Sequence, residues 1–150
     1  MAAFIVCPHH FQAQSARRLN RLRVQRPRTW EDFLAERDED NHAEWVDGQV
    51  ILMSLASSNH QLLKVLPVRV LEHYLERHPQ GLILDAPFLM RLPTRPSGRE
   101  PDILFIAQEC VGLLQPSFLD GAADLVVEII SPESDERDRG EMFIELFWAF

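Results

Sequence analysis

Three acidic residues interrupt apolar segments of the sequence and are the first candidates for chemistry. Glu44 stands before a Trp-Val pair, Asp102 directly before the run ILFI, and Glu128 inside the run LVVEII. A carboxylate among apolar neighbours is costly to bury unless it is paired or binds a metal. If Asp102 and Glu128 meet, their oxygens would suit Mg²⁺ or Mn²⁺, which polarises a phosphate and activates water. Ion pairs with arginines, or exposure at a sheet edge, would account for the same acids without any such site.

The elements that must position these acids follow from capping and turn signals. Thr29 predicts the N-terminus of a first helix, because its hydroxyl can accept a backbone N–H of the first turn. Two apolar runs around Asp-Gly at 47–48 predict a hairpin that carries Glu44, since this dipeptide tolerates positive φ. Residues 60–77 predict a second helix with apolar residues at helical spacing and a bend at the interior Pro67.

The second half of the chain predicts strands. They are expected at 81–90 with an interruption, at 101–106 and at 124–130, with a loop over 93–98. The segment 124–130 is apolar nearly throughout, which is typical of a buried central strand. A loop followed by a helix is expected after Pro132. The candidate acids Asp102 and Glu128 therefore belong to two different strands.

Length and composition describe one globular domain. The chain has 150 residues, of which 46% are hydrophobic and 25% charged, so wholesale disorder is not expected. No apolar run approaches the roughly 20 residues that span a bilayer, and no secretory signal is found. Cys7 and Cys110 are too few and too far apart for a disulfide framework or a zinc site. These features predict a cytoplasmic protein with no membrane partner.

The charge is distributed unevenly along the chain. Residues 1–28 contain six arginines and no acid, which leaves nine of the 15 basic and all 23 acidic side chains for the rest. We therefore divide the chain into a basic N-terminal arm, 1–28, expected to be disordered, and a folded domain, 29–150. Such an arm would supply the positive charge that DNA binding needs and the acidic domain lacks. A mis-assigned start or an organellar transit peptide would give the same composition.

Several short motifs occur along the chain in one order. They are EWVDGQV at 44–50, Met53-Ser54 with His60, PDI at 101–103, DLVVEIISP at 124–132, and Asp138-Arg139. From Thr29 to the end, this succession resembles the Uma-type putative restriction endonuclease family, a branch of the PD-(D/E)XK nucleases. The resemblance implies an α/β fold of the restriction-endonuclease-like kind, with a mixed central sheet flanked by helices. It also implies a Mg²⁺-dependent hydrolase that cleaves the phosphodiester bonds of DNA.

The resemblance assigns roles to individual residues. Asp102 and Glu128 would be the metal-binding carboxylates, and the backbone carbonyl of Ile129 would be a third ligand. Glu44 would be an accessory catalytic acid near the metal, and pairing with an arginine is its structural alternative. His60 would face the site from the start of the second helix, whereas a lone histidine at that position also serves as a capping or structural residue.

The family's catalytic lysine has no counterpart in this sequence. In the simplest form of the motif it stands two residues after the acid, where this chain has Ile130. In the Uma-type branch it follows the Asp-Arg pair on the next helix, and counting from Asp138 and Arg139 that position is Met142. The lysine normally orients the attacking water and stabilises the developing phosphorane charge. Arg139 and Lys64, the chain's only lysine, are the two residues that could stand in for it.

The C-terminal segment also departs from the family. Members usually continue into a Tyr-Trp strand, whereas this sequence ends with an apolar tail at 143–150. We expect either that the tail folds back on the sheet or that the domain is C-terminally incomplete. Two functions stay open: an endonuclease that is impaired or inactive in this copy, and a catalytically dead nuclease-fold module or remnant that binds DNA or protein. Either function is compatible with a homodimer.

Overall fold

The computed structural model of the protein describes residues 3–6, 28–37, 42–53, 55–92 and 95–129. The strands are β1 (Ala3–Val6), β2 (Ala43–Val46), β3 (Gln49–Leu52), β4 (Gly81–Asp85), β5 (Leu89–Leu92), β6 (Ser97–Arg99), β7 (Ile103–Ala107), β8 (Phe118–Asp120) and β9 (Leu125–Ile129). The helices are α1 (Trp30–Glu36), α2 (Ser58–Arg77) and a short 3-10 helix (Gln108–Leu113). None of the helices in these ranges has the length and apolar character needed to cross a bilayer.

The first helix and the hairpin after it form as the sequence predicts. The Thr29 hydroxyl accepts from the Asp32 backbone N–H at 3.1 Å, and the Asp32 carboxylate accepts from the Thr29 N–H at 3.2 Å. This reciprocal pair satisfies two N–H groups at the start of α1. Asp47 and Gly48 connect β2 to β3 with φ angles of 49° and 78°, the left-handed pair of a tight hairpin turn. Since β2 also pairs with β6, Glu44 lies on an interior strand.

The strands of the described residues divide between two sheets. One sheet is antiparallel throughout and has the order β1-β9-β7-β4. The other has the order β3-β2-β6-β5-β8 and is antiparallel except for the parallel pair β5 and β8. The predicted mixed α/β architecture is confirmed. The strand predicted at 124–130 is also confirmed as β9, an interior strand with mostly buried apolar residues.

Some sequence-based strand assignments need correction. The single interrupted strand predicted over 81–90 is wrong, because its two halves become β4 and β5 and join different sheets. The loop predicted over 93–98 is wrong at its end, where β6 begins and pairs with both β2 and β5. Within the predicted disordered arm, residues 3–6 form β1 and pair with β9. Residues 7–27 of that arm lie outside the described part of the chain.

Helix α2 carries an unusual distribution of exposed and buried residues. It begins at Ser58, two residues earlier than predicted, because the Ser57 side chain accepts from the His60 N–H at its N-cap. It continues through Pro67 without a break in the helix. Its large apolar side chains at 62, 63, 65, 66, 70 and 74 are all exposed. The buried residue of α2 is Lys64, with 8% exposure, so a charged side chain occupies the place expected for a leucine.

Two apolar clusters support the two sheets. The larger one draws on strands of both sheets and consists of Met90, Leu92, Leu104, Ile106, Leu119, Ala123 and Val126. The smaller one consists of Trp30, Phe33, Ala43, Trp45 and Leu89. Gly98 is required at this second cluster, because a Cβ there would lie 2.1 Å from the Trp30 ring. The helix α1 thereby packs directly on β6, next to Arg99.

Candidate active site

The register of β7 and β9 brings two of the predicted acids to one place. The last paired residues of this antiparallel ladder are Ile103 and Val127. One step further along, Asp102 stands opposite Glu128, and residues opposite each other across antiparallel strands share a face of the sheet. The backbone N–H of Ile129 donates to Asp102 Oδ2 at 2.7 Å, which fixes the carboxylate against the end of β9. Asp102 and Glu128 are therefore neighbours at one end of the antiparallel sheet.

His60 joins this pair from the first turn of α2. Its Nε2 lies 3.1 Å from Asp102 Oδ2, the same oxygen that accepts from Ile129. With Asp102 ionised, Nε2 is the donor of this bond, because a carboxylate can only accept. The other ring nitrogen, Nδ1, is buried and has no hydrogen-bond partner in the described residues. The ring of His60 thus orients Asp102 and does not cap the helix, since Ser57 does that.

Burial sets the electrostatics of Asp102. Removal from water raises the pKa of this carboxyl above its ordinary value of 3.8, against the opposing effects of the Ile129 N–H, of His60 and of the Lys64 charge. Both hydrogen bonds to the side chain fall on Oδ2. Its other oxygen, Oδ1, accepts no hydrogen bond from the described residues. One lone-pair-bearing oxygen of a costly, partly desolvated carboxylate is therefore available to a cation.

Lys64 follows His60 by one helical turn and lies on the same side of α2. Its Nζ lies 3.3 Å from the carbonyl oxygen of Ala86 and 3.2 Å from Asp85 Oδ2. Asp85 is half exposed, whereas the lysine side chain is only 10% exposed. The sequence placed Lys64 on the His60 face of α2, but neither Asp85 nor Ala86 carried a signal as its partner.

Glu44 occupies a different environment. One of its oxygens accepts from the Arg99 guanidinium at 2.9 Å, and the other accepts from the Glu100 N–H at 3.3 Å. Both side chains of the Glu44–Arg99 pair are completely buried. Glu44 therefore has the arginine partner that was its structural alternative, and its role as an accessory acid at a metal stays a prediction.

The residues of the site fit the needs of Mg²⁺ with few protein ligands. Among the residues that the structure describes, no group of three or more His, Cys, Asp and Glu side chains is arranged to hold a metal. Mg²⁺ does not need such a group, since it is commonly held by one or two carboxylates, water and substrate phosphates. If such a cation binds here, Oδ1 of Asp102 and the carboxylate of Glu128 would be its two hard oxygen donors. Asp138, Arg139, Ile130 and Met142 lie outside the described residues.

Comparison with known proteins gives one family and one fold. The sequence model of the Uma2 family, described as putative restriction endonuclease, matches residues 30–145. A solved structure, a putative nuclease belonging to DUF820 from Anabaena variabilis ATCC 29413, superposes with a TM-score of 0.67. The two chains are 15% identical, and the match covers 80% of this chain and 68% of the other. At this identity the likeness establishes the shared fold. No curated protein sequence matches the chain.

Proposed function

Because the chain belongs to the Uma2 family of putative restriction endonucleases, we propose that it is a Mg²⁺-dependent DNA endonuclease that hydrolyses phosphodiester bonds. The observation that carries the proposal is that Asp102 and Glu128 stand opposite each other one step beyond Ile103 and Val127, the last paired residues of β7 and β9. Asp102 is costly in this position, because burial raises its pKa against the opposing effects of Ile129, His60 and Lys64, and a bound cation would offset that cost. A nuclease of this kind would use the bound cation to polarise the phosphate of its substrate.

Each residue of the site has a part in this chemistry. Asp102 Oδ1 and Glu128 would hold Mg²⁺, which when bound polarises a phosphate and acidifies a water molecule. The carbonyl of Ile129 is the third proposed ligand, beside the N–H of the same residue that already holds Asp102. His60 keeps Asp102 oriented through Oδ2. Asp102 must be ionised to bind the cation, and its raised pKa makes binding sensitive to acid.

The proposed enzyme is slow because it lacks the lysine of its family. Met142 stands where that lysine is expected, and a thioether has neither the charge nor the proton of an ammonium. Loss of one preorganised charge at a transition state costs on the order of 100-fold in rate. The same substitution favours a second function, a nuclease-fold module that binds DNA without cutting it. The two functions share the metal site and differ in turnover.

Cleavage of a supercoiled plasmid tests the proposal. We expect slow, Mg²⁺-dependent nicking that an Asp102→Ala variant does not show, because the variant loses a metal ligand. Glu72→Ala is the matched control, since Glu72 is an exposed acid on α2 away from the site, and it should nick at the wild-type rate. Metal binding without nicking would favour the binding module. Absence of any divalent-cation binding would refute both functions.

The assembly and the location belong to the same proposal. A homodimer would present two such sites to the two strands of DNA, and the exposed apolar side chains of α2 offer a surface for it. Sedimentation at several protein concentrations measures this assembly directly, and a monomer at all concentrations would exclude it. The cytoplasmic location stays an expectation from the composition.

A further inference from the structure

Lys64 is the one charged residue of α2 that the fold takes out of water. Lysine is rarely buried, because its ammonium holds water strongly and its long side chain loses conformational freedom. Here the side chain is only 10% exposed, while the acid that it meets, Asp85, is 54% exposed. Placing an ammonium inside to meet a carboxylate that is half in water contributes little stability. The burial of Lys64 therefore calls for a reason other than this ion pair.

The ammonium also has bonding capacity left. A protonated lysine carries three N–H donors. Two acceptors surround Nζ, the Ala86 carbonyl at 3.3 Å and Asp85 Oδ2 at 3.2 Å. Within the described part of the chain we find no third acceptor for it. Both contacts are long, so the group is held in place without being saturated.

The strand register places this ammonium beside the candidate metal site. The backbone N–H of Ala86 donates to the carbonyl oxygen of Asp102 at 3.1 Å, one step beyond the pair of Asp85 with Ile103. Lys64 holds the carbonyl of this same Ala86, and His60, one turn earlier on α2, holds the carboxylate of Asp102. The Lys64 ammonium thus binds the carbonyl of Ala86, and Ala86 faces Asp102, the residue that carries the carboxylate. Although burial raises the pKa of Asp102, the charge of Lys64 reaches far enough to oppose it.

We propose that Lys64 is the phosphate-contacting cation of this site, and that its free N–H binds a backbone phosphate oxygen of the nucleic acid next to the metal held by Asp102 and Glu128. The inference rests on the proposed function and goes beyond it by naming the residue that meets the substrate. The ammonium would stabilise negative charge on the phosphate and would not remove a proton. The positive charge would then come from α2 and not from the segment that contains Met142.

The experiment compares two methionine substitutions on one helix. Lys64→Met removes the ammonium and keeps the apolar stem that packs beneath it. Arg69→Met is the matched control, because Arg69 is an exposed cation of α2 with no ion pair in the described residues. For each protein we would measure the affinity for Mn²⁺ alone and the affinity for a duplex of about 20 base pairs in Ca²⁺, over a series of salt concentrations.

If the Lys64 ammonium contacts the nucleic acid, its removal should have opposite effects on the affinity for Mn²⁺ and on the affinity for the duplex. Without the ammonium, Mn²⁺ meets less repulsion at Asp102, so Lys64→Met should bind it about three- to tenfold more tightly. The duplex should bind about five- to tenfold more weakly, and the slope of log affinity against log salt should fall by about 1. Arg69→Met should leave Mn²⁺ affinity unchanged and weaken the duplex less than twofold. Lys64→Arg, which keeps a charge, should retain most of the duplex affinity.

Other outcomes separate the possible failures. If Lys64→Met weakens both ligands in parallel and unfolds more easily, the lysine has a structural role and the inference is wrong. Equal duplex affinities for Lys64→Met and Arg69→Met would also overturn it. If the wild type binds no Mn²⁺, the proposed metal site fails, and the duplex comparison alone still decides whether Lys64 contacts phosphate.

Discussion

The molecule contains two strand-borne acids that look alike in sequence and differ in their surroundings. Glu44 lies on β2 and is completely buried against Arg99, with hydrogen bonds to both of its oxygens. Asp102 directly precedes β7, accepts both of its hydrogen bonds from the described residues on one oxygen, and stands one step beyond the ladder opposite another acid, Glu128. The first carboxylate is neutralised within the fold. The second is held in position and left with binding capacity.

This difference shows how one residue type can serve stability or chemistry on the same scaffold. A buried carboxylate with an arginine is weakly stabilising at best, but removing one partner leaves an uncompensated charge. A carboxylate whose burial raises its pKa carries a cost when it is ionised, and a bound cation would offset that cost. The two sites should therefore respond to substitution in opposite ways, both in stability and in metal affinity.

The largest effect is expected at the buried pair. Glu44→Ala should lower the free energy of unfolding by about 3–5 kcal/mol, because Arg99 would keep its buried charge without this carboxylate. Chemical denaturation measures this change. A double variant, Glu44→Leu with Arg99→Met, should recover much of the loss, since it removes both charges. A loss below about 1 kcal/mol for Glu44→Ala would contradict the contrast between Glu44 and Asp102, because Glu44 would then contribute little to stability.

Asp102→Asn should give the converse result. The amide keeps the size of the side chain but loses the charge, so Mn²⁺ affinity and any nicking should fall by about 100-fold or more. The fold should lose nothing, and it should gain up to about 1 kcal/mol at neutral pH, because a desolvated charge is removed. Calorimetry and metal titration on one sample check both effects. Destabilisation comparable to that of Glu44→Ala would make Asp102 a structural residue.

Met142→Lys tests whether the missing lysine limits turnover at the Asp102 site. A lysine at this position restores the family's pattern, and methionine and lysine have similar reach, so we expect the nicking rate to rise by on the order of 100-fold. Asp102→Ala in the same background should abolish the gain. If the wild type already cleaves well and Met142→Lys does not raise the rate, then Lys64 or Arg139 supplies the charge. Residue 142 lies outside the described residues, and the prediction rests on its place after Asp138-Arg139.

A smaller effect concerns pH. The pKa of Asp102 is raised in the folded protein, so its contribution to stability is fully present below its ordinary value of 3.8 and is lost as pH rises through the folded pKa. Without metal, the wild type should therefore lose stability relative to Asp102→Asn on going from acid to neutral pH. Mn²⁺ affinity should run the other way and fall about tenfold per pH unit below the folded pKa. Parallel unfolding curves for both proteins at all pH values would contradict this.

Local features of the fold could be predicted from the sequence because their causes are local. The Thr29 cap depends on residues three apart, and the turn at Asp47 and Gly48 depends on two residues that accept positive φ. The family resemblance, confirmed over 30–145, gave the mixed α/β architecture. The division of 81–90 between two sheets could not be predicted, since it depends on which strands pair across long stretches of chain.

The residues of the candidate site also fall into those that the sequence predicts and those that it does not. Asp102, Glu128 and His60 stood out because polar residues beside apolar runs and family motifs are visible in one sequence. The pairing of Glu44 with an arginine was one of two open alternatives, and only the register of β2 with β6 decides that this arginine is Arg99. The burial of Lys64 is contrary to its sequence pattern, because the leucines around it at helical spacing would be expected inside.

The packing of Trp30 on Gly98 makes the smaller apolar cluster optically visible. Trp30 and Trp45 are both buried, lie 5.8 Å apart between ring centres and belong to the cluster beside the Glu44–Arg99 pair. The third tryptophan, Trp148, lies outside the described residues, and a Trp148→Phe variant would remove its emission. Intrinsic fluorescence would then report on the surroundings of this cluster, while hydrogen exchange at the Ile129 amide would report on the end of β9 that holds Asp102. Whether these two places open together or in sequence on heating could thus be followed in one unlabelled protein.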